Sequence, residues 1–118
     1  MISLNIAANF LKIKEIKSMI RHVVMWKLRT EAQGKSKQEN MELIRDSLYA
    51  LLPVIPEIKK MEIGFDVKHT DMSMDLMLLT EFDSLEALAT YADHPEHLKV
   101  SAYVRKVIET RVVLDCEI

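Results

Sequence analysis

The chain has a single cysteine, no long uninterrupted apolar run and no excess of charge of one sign. A lone Cys116 cannot close an internal disulfide and fits no metal-ligand spacing, which points to a reducing compartment and so to a cytoplasmic protein. Without an apolar stretch long enough for a spanning helix or a signal peptide, membrane insertion and export are not expected. Sixteen basic residues against eighteen acidic ones give a net charge of -2, well mixed along the chain, so nucleic acid is not an expected partner. What remains is 118 residues, 49% of them apolar, enough for one domain with a small core.

Residues 1–18, "MISLNIAANFLKIKEIKS", stand apart, because the periodic pattern of the domain begins at Met19. Leu4, Ala7, Phe10 and Leu11 fall at helical spacing and fit an amphipathic helix docked on the domain or a neighbour. A second reading is a translated leader: Lys14 and Glu15 can be encoded as AAGGAG, a bacterial ribosome-binding sequence, three codons ahead of Met19. The domain is therefore assigned to residues 19–118.

Residues 20–28, "IRHVVMWKL", are rich in β-branched and large apolar side chains and predict a strand. Its alternation sets His22, Val24, Trp26 and Leu28 on one face against Arg21, Val23, Met25 and Lys27 on the other. Ser36 and Glu39 have capping-box spacing, and Met41, Ile44, Leu48, Leu51 and Leu52 form one helical stripe up to Pro53. Met61, Ile63, Phe65 and Val67 alternate as in a half-buried strand, while "MDLMLLTEF" over residues 74–82 is apolar on both faces and predicts a central one. Asp83 or Ser84 caps a short helix carrying Leu85, Leu88 and Ala92. Pro95 starts another, capped by Asp93 or His94, with Val100, Tyr103, Val104 and Val107 as its stripe. "IETRVVLDCEI" closes the chain as a fourth strand.

The order βαββαβ, with its second helix broken in two, predicts an α+β ferredoxin-like fold: a four-stranded antiparallel sheet with helices on one face. Val23, Met25, Met77 and Leu79 cannot also lie under helices. The uncovered apolar face predicts a homodimer packed sheet on sheet.

Two of the four histidines fall in "TYADHPEHLKV", residues 90–100, and raise the question of chemistry. Taken alone, His94 before Pro95 reads as a helix cap, Tyr91 as a core-edge aromatic, and His97 as an imidazole bonded within a packed site. His22 reads as a structural histidine and His69 as a solvated one. No carboxylate or cysteine spacing completes a metal site with His22, His94 and His97, so neither a metal nor another cofactor is expected.

The segments "MIRHVVMWKLR", "IPEIKKMEIGFDV", "TEFDSLEALATYADHPEHLKV" and "VVLDCEI" resemble the stress-responsive A/B barrel domain (Dabb) family of the dimeric α-β barrel superfamily, over residues 19–118. The resemblance implies a dimeric barrel with a cleft between helices and sheet in each subunit. One plant branch is a cofactor-independent polyketide cyclase with a Y-x-x-H-P-x-H motif, which implies Tyr91 and His97 as the catalytic pair, with His22, Val24, Trp26 and His94 contacting substrate. A neutral histidine can remove a proton α to a carbonyl while a tyrosine hydrogen-bonds the developing enolate. The chain departs from that branch in presenting Ile44 and Leu48, not aromatics, on its first helix, and in projecting Trp26 towards the cleft. Three readings follow. One is a binder or acid-base enzyme for a small hydrophobic or carbonyl compound, polyketide-like or shorter; another is a non-catalytic, stress-associated dimer. The third is a heme-binding or monooxygenase-like dimeric barrel, since related families bind heme. An open cavity of ~300 Å³ or more touching both Tyr91 and His97 favours the first; a cleft filled by Trp26, Leu48, Val104 and methionines favours the second.

Overall fold

β1, Ile20–Leu28, lies at the centre of the molecule because both of its faces carry apolar side chains. The computed structural model describes residues 18–118; both readings of the N-terminal segment fall outside them, apart from Ser18. After β1 come two short strands, β2 (Glu31–Ala32) and β3 (Lys35–Ser36), then helix α1 (Lys37–Tyr49), β4 (Lys60–Phe65) and β5 (Leu76–Phe82). Helices α2 (Leu85–Asp93) and α3 (Pro95–Val107) follow, and β6 (Ile108–Glu117) closes the chain. The main sheet runs β4-β5-β1-β6 with every neighbouring pair antiparallel. This is the ferredoxin-like order.

Local chemistry sets the boundaries. Ser36 caps α1 through its side chain, which accepts from the Glu39 N–H at 3.1 Å, while the Glu39 carboxylate accepts from the Ser36 N–H at 3.2 Å. The helix ends at Tyr49, earlier than the stripe predicts. Leu51 is buried, but Leu52 is 39% exposed, because the chain turns away before Pro53. The β2–β3 hairpin was not foreseen; its turn places Gln33 and Gly34 at φ 54° and 71°, a pair typical of a type I′ turn.

Register fixes which side chains meet the helices. His22 pairs with Thr80 and Asp115, Val24 with Leu78 and Val113, and Trp26 with Leu76 and Arg111. These share the helix-covered face, where Val24, Trp26, Leu28, Leu76 and Leu78 pack with Ile44, Leu48, Tyr91 and Val104 in one core. The opposite face collects Val23, Met25, Met77, Leu79, Val112 and Leu114, with Met25 38% and Leu114 62% exposed. An Arg21–Glu81 pair at 2.8 Å sits on that same face. No described helix is long and apolar enough to cross a membrane.

Candidate functional site

One proline builds the site. Pro95 has no N–H to continue a helix and disfavours helical geometry in the residue before it. His94 is accordingly extended, at φ -62° and ψ 133°, and serves both as the C-cap of α2 and the N-cap of α3. Its Nδ1 accepts from the Glu96 N–H at 3.1 Å. Cutting the helix there strands the last carbonyls of α2 without intrahelical donors. His97, in the first turn of α3, fills one of these vacancies: its Nδ1 lies 2.9 Å from the Ala92 carbonyl oxygen. A carbonyl can only accept, so Nδ1 carries the proton and Nε2 keeps a free lone pair.

The same break folds the last turn of α2 back on α3. Tyr91 and His97 stand with ring centroids 4.3 Å apart, and Phe82 packs against the other flank of Tyr91 at 5.1 Å. Tyr91 is 1% exposed, and among the described residues its hydroxyl finds no hydrogen-bond partner. Burial pushes the phenol up to about 12, against a smaller opposing pull from Arg111. The hydroxyl therefore stays protonated and acts as a donor. Burial also holds His97 below the usual histidine range, offset by the Ala92 carbonyl and reinforced by His22, Arg111 and Arg105. His97 is a neutral base at neutral pH.

His22 approaches from the sheet. Asp115 lies directly across from it on β6, and its Oδ1 sits 2.5 Å from His22 Nδ1. With Nδ1 donating to the Asp115 carboxylate, the Nε2 of His22 is left open as well.

Between the sheet and α2–α3 lies a cavity of about 660 Å³. His22, Val24, Trp26, Tyr91 and His97 all line it. His94 is not among the lining residues, since its side chain caps α3. Leu48 and Val104 form part of the wall, whereas Ile44 belongs to the core and no methionine reaches the cavity. Trp26 does not fill it; the indole is buried in the wall with its Nε1 unpartnered among the described residues. Sequence reasoning missed Asp115, Arg105 and Arg111. Asp115 meets His22 across 93 residues of chain, a pairing no local spacing reveals. Among the described residues no three His, Cys, Asp or Glu side chains are grouped to hold a metal ion.

The profile of the stress responsive A/B barrel domain (Dabb) family matches residues 20–118. The chain belongs to that family. Among similar solved structures, a dimeric ferredoxin-like protein of unknown function from Bacteroides fragilis is 30% identical, with 85% of this chain and 96% of that one covered and a TM-score of 0.75. A dimeric ferredoxin-like protein of unknown function from Thermobifida fusca is 22% identical, covering 86% and 92%, with a TM-score of 0.73. The hydroxynitrile lyase of Passiflora edulis is 19% identical, covering 85% and 93%, with a TM-score of 0.70. The last two carry the fold and nothing further. No curated protein sequence matches the chain. The Dabb match includes all of β6, so the strand that supplies Asp115 and Arg111 is part of the family domain.

Proposed function

We propose that this Dabb protein is a cytoplasmic homodimer, joined through the open sheet face, whose cavity binds a small hydrophobic carbonyl compound and moves a proton on it without a cofactor. His97 is the base and Tyr91 the donor to the carbonyl oxygen. The supporting observation is the open cavity of about 660 Å³ bordered by both residues, well above the ~300 Å³ that a small ligand needs.

In the proposed step the Nε2 lone pair of His97 takes a proton from the carbon next to the carbonyl. The C–H bonding pair becomes the carbon–carbon double bond of an enolate, and the carbonyl π pair moves onto oxygen. Tyr91 donates a hydrogen bond to that oxygen and, with its phenol raised to about 12, keeps its own proton. The hydroxyl is sealed from solvent in the free protein, so the ligand oxygen reaches it only as the cavity wall yields. Return of the His97 proton to a different carbon or to the opposite face completes an isomerisation; alternatively the enolate carbon attacks a second carbonyl of the same ligand, the π pair of that carbonyl moves onto its oxygen, and that oxygen takes the proton from His97 as the ring closes.

The dimer rests on the apolar face of Val23, Met25, Met77, Leu79, Val112 and Leu114, which no described helix covers. A contiguous apolar surface of this kind favours a self-complementary two-fold contact. The B. fragilis protein, 30% identical, is dimeric. A purely structural dimer would be better served by a closed core, and the open cavity favours the ligand-binding reading.

A panel of medium-chain ketones and 1,3-diketones tests the proposal by thermal unfolding. Ligand at 100 times its dissociation constant adds about 2.7 kcal/mol to stability, a clear rise in Tm. The rise should shrink in His97→Ala and in Tyr91→Phe. A Tm that no compound moves would refute the binding reading.

A further inference from the structure

Arg105 and Arg111 line the cavity yet take no part in the proton transfer. Arg111 stands on β6 directly across from Trp26, on the helix-covered face of the sheet. Arg105 lies on α3, about two turns beyond His97. Both are exposed, and among the described residues neither forms a salt bridge. The other charged groups nearby do not answer them: Asp93 lies in the wall but is a single carboxylate, and Asp115 is engaged by His22. Buried in the same wall is the Trp26 indole N–H, a donor without an acceptor among the described residues. The cavity therefore presents two guanidinium groups on an otherwise mainly apolar lining, with the Trp26 indole N–H and the Tyr91 hydroxyl buried behind its surface. With two arginines against the single carboxylate of Asp93, the charge of its lining is cationic.

We propose that the ligand carries an anionic oxygen head group, a carboxylate or a phosphate, held by Arg111 and Arg105 at the solvent-exposed margin, with an apolar body that lays its carbonyl beside His97. This deepens the ligand-binding reading given above and rests on it. Planar guanidinium groups suit both kinds of head, and their bonds to an anion are stronger than neutral ones. Binding an anion there also offsets two of the smaller influences that disfavour protonation of His97, which burial chiefly sets.

Trp26 is the only tryptophan of the chain and lines the cavity, so its fluorescence reports occupancy directly. The probes are 4-oxodecanoate, its methyl ester and decyl phosphate, titrated at low and high salt into the wild-type protein and into Arg111→Gln, Arg105→Gln and the double variant. The oxo acid should bind about tenfold more tightly than the ester at low salt, with the gap narrowing as salt rises. In the double variant that preference should vanish, and Arg111→Lys should keep more of it than Arg111→Gln does. The acid or the phosphate, whichever binds more tightly with arginine dependence, identifies the head group. Equal binding of acid and ester by the wild-type protein, or an acid preference that survives in the double variant, would overturn the inference while leaving the ligand site standing. Failure of all three probes to bind would overturn both.

Discussion

Tyr91→Phe removes one oxygen atom and leaves an aromatic ring between Phe82 and His97, so it separates what the hydroxyl does from what the ring does. The side chain is 1% exposed and its hydroxyl has no partner among the described residues. A buried hydroxyl that makes no hydrogen bond costs about 1–3 kcal/mol of desolvation. Deleting it should stabilise the fold, by about 1 kcal/mol at the lower end of that range, which for a domain of this size raises Tm by roughly 4–8 °C. Tyr91→Ala should do the opposite, losing about 3–5 kcal/mol through the cavity left by the ring. The assay is thermal and urea unfolding followed by circular dichroism, at one fixed protomer concentration because association adds to apparent stability. If Tyr91→Phe instead lowers stability by about 1 kcal/mol, the hydroxyl has a structural partner and the reasoning fails. A stabilised variant that no longer responds to ligand would mean that the unpaired hydroxyl is a cost borne for binding.

Because burial, and after it His22, Arg111 and Arg105, hold His97 below its ordinary value against the pull of the Ala92 carbonyl, the unfolded chain takes up that proton first as pH falls through about 6.5. The contribution of His97 to stability is therefore complete above that pH and is lost between it and the lower folded value; a urea midpoint as high at about pH 5.5 as at about pH 7.5, once compared with His97→Ala, would contradict this. Ile44→Ala, at a side chain only 1% exposed, should cost about 2–5 kcal/mol in urea unfolding, and a loss below about 1 kcal/mol would mean that the core collapses around the deletion. Leu79→Glu places a charge on the open sheet face and should yield a folded monomer by sedimentation; a variant that still sediments as a dimer would place the interface elsewhere.

The parts of the fold legible in the sequence are those governed by local periodicity and caps. Alternation along β1 divided His22, Val24 and Trp26 from Val23 and Met25 as the register does. Ser36 and Glu39, and His94 with Pro95, marked helix starts through side chains that bond within a few residues of themselves. The β2–β3 hairpin escaped because strands of two residues have no period to detect. Leu52 sat in register with a helical stripe, but the helix had already ended. The Tyr91–His97 proximity was implied by the motif, whereas its cause, an orphaned Ala92 carbonyl bonded to Nδ1, depends on three-dimensional helix geometry. Asp115 and Arg111 come into the site only through strand pairing. On an edge strand whose residues are mostly exposed, they look like ordinary surface charges.

Deuterium exchange at carbon tests the central claim most directly. The wild-type protein is mixed in heavy water with whichever ketone or oxo acid raises its Tm, and loss of the ligand's α-proton signal is followed by NMR. A base at His97 Nε2 with a donor at Tyr91 predicts exchange well above the buffer rate, reduced about 100-fold or more in His97→Ala. Bound ligand whose α-protons exchange no faster than in buffer, in wild type and variant alike, would contradict acid-base chemistry at this site and leave a binding protein.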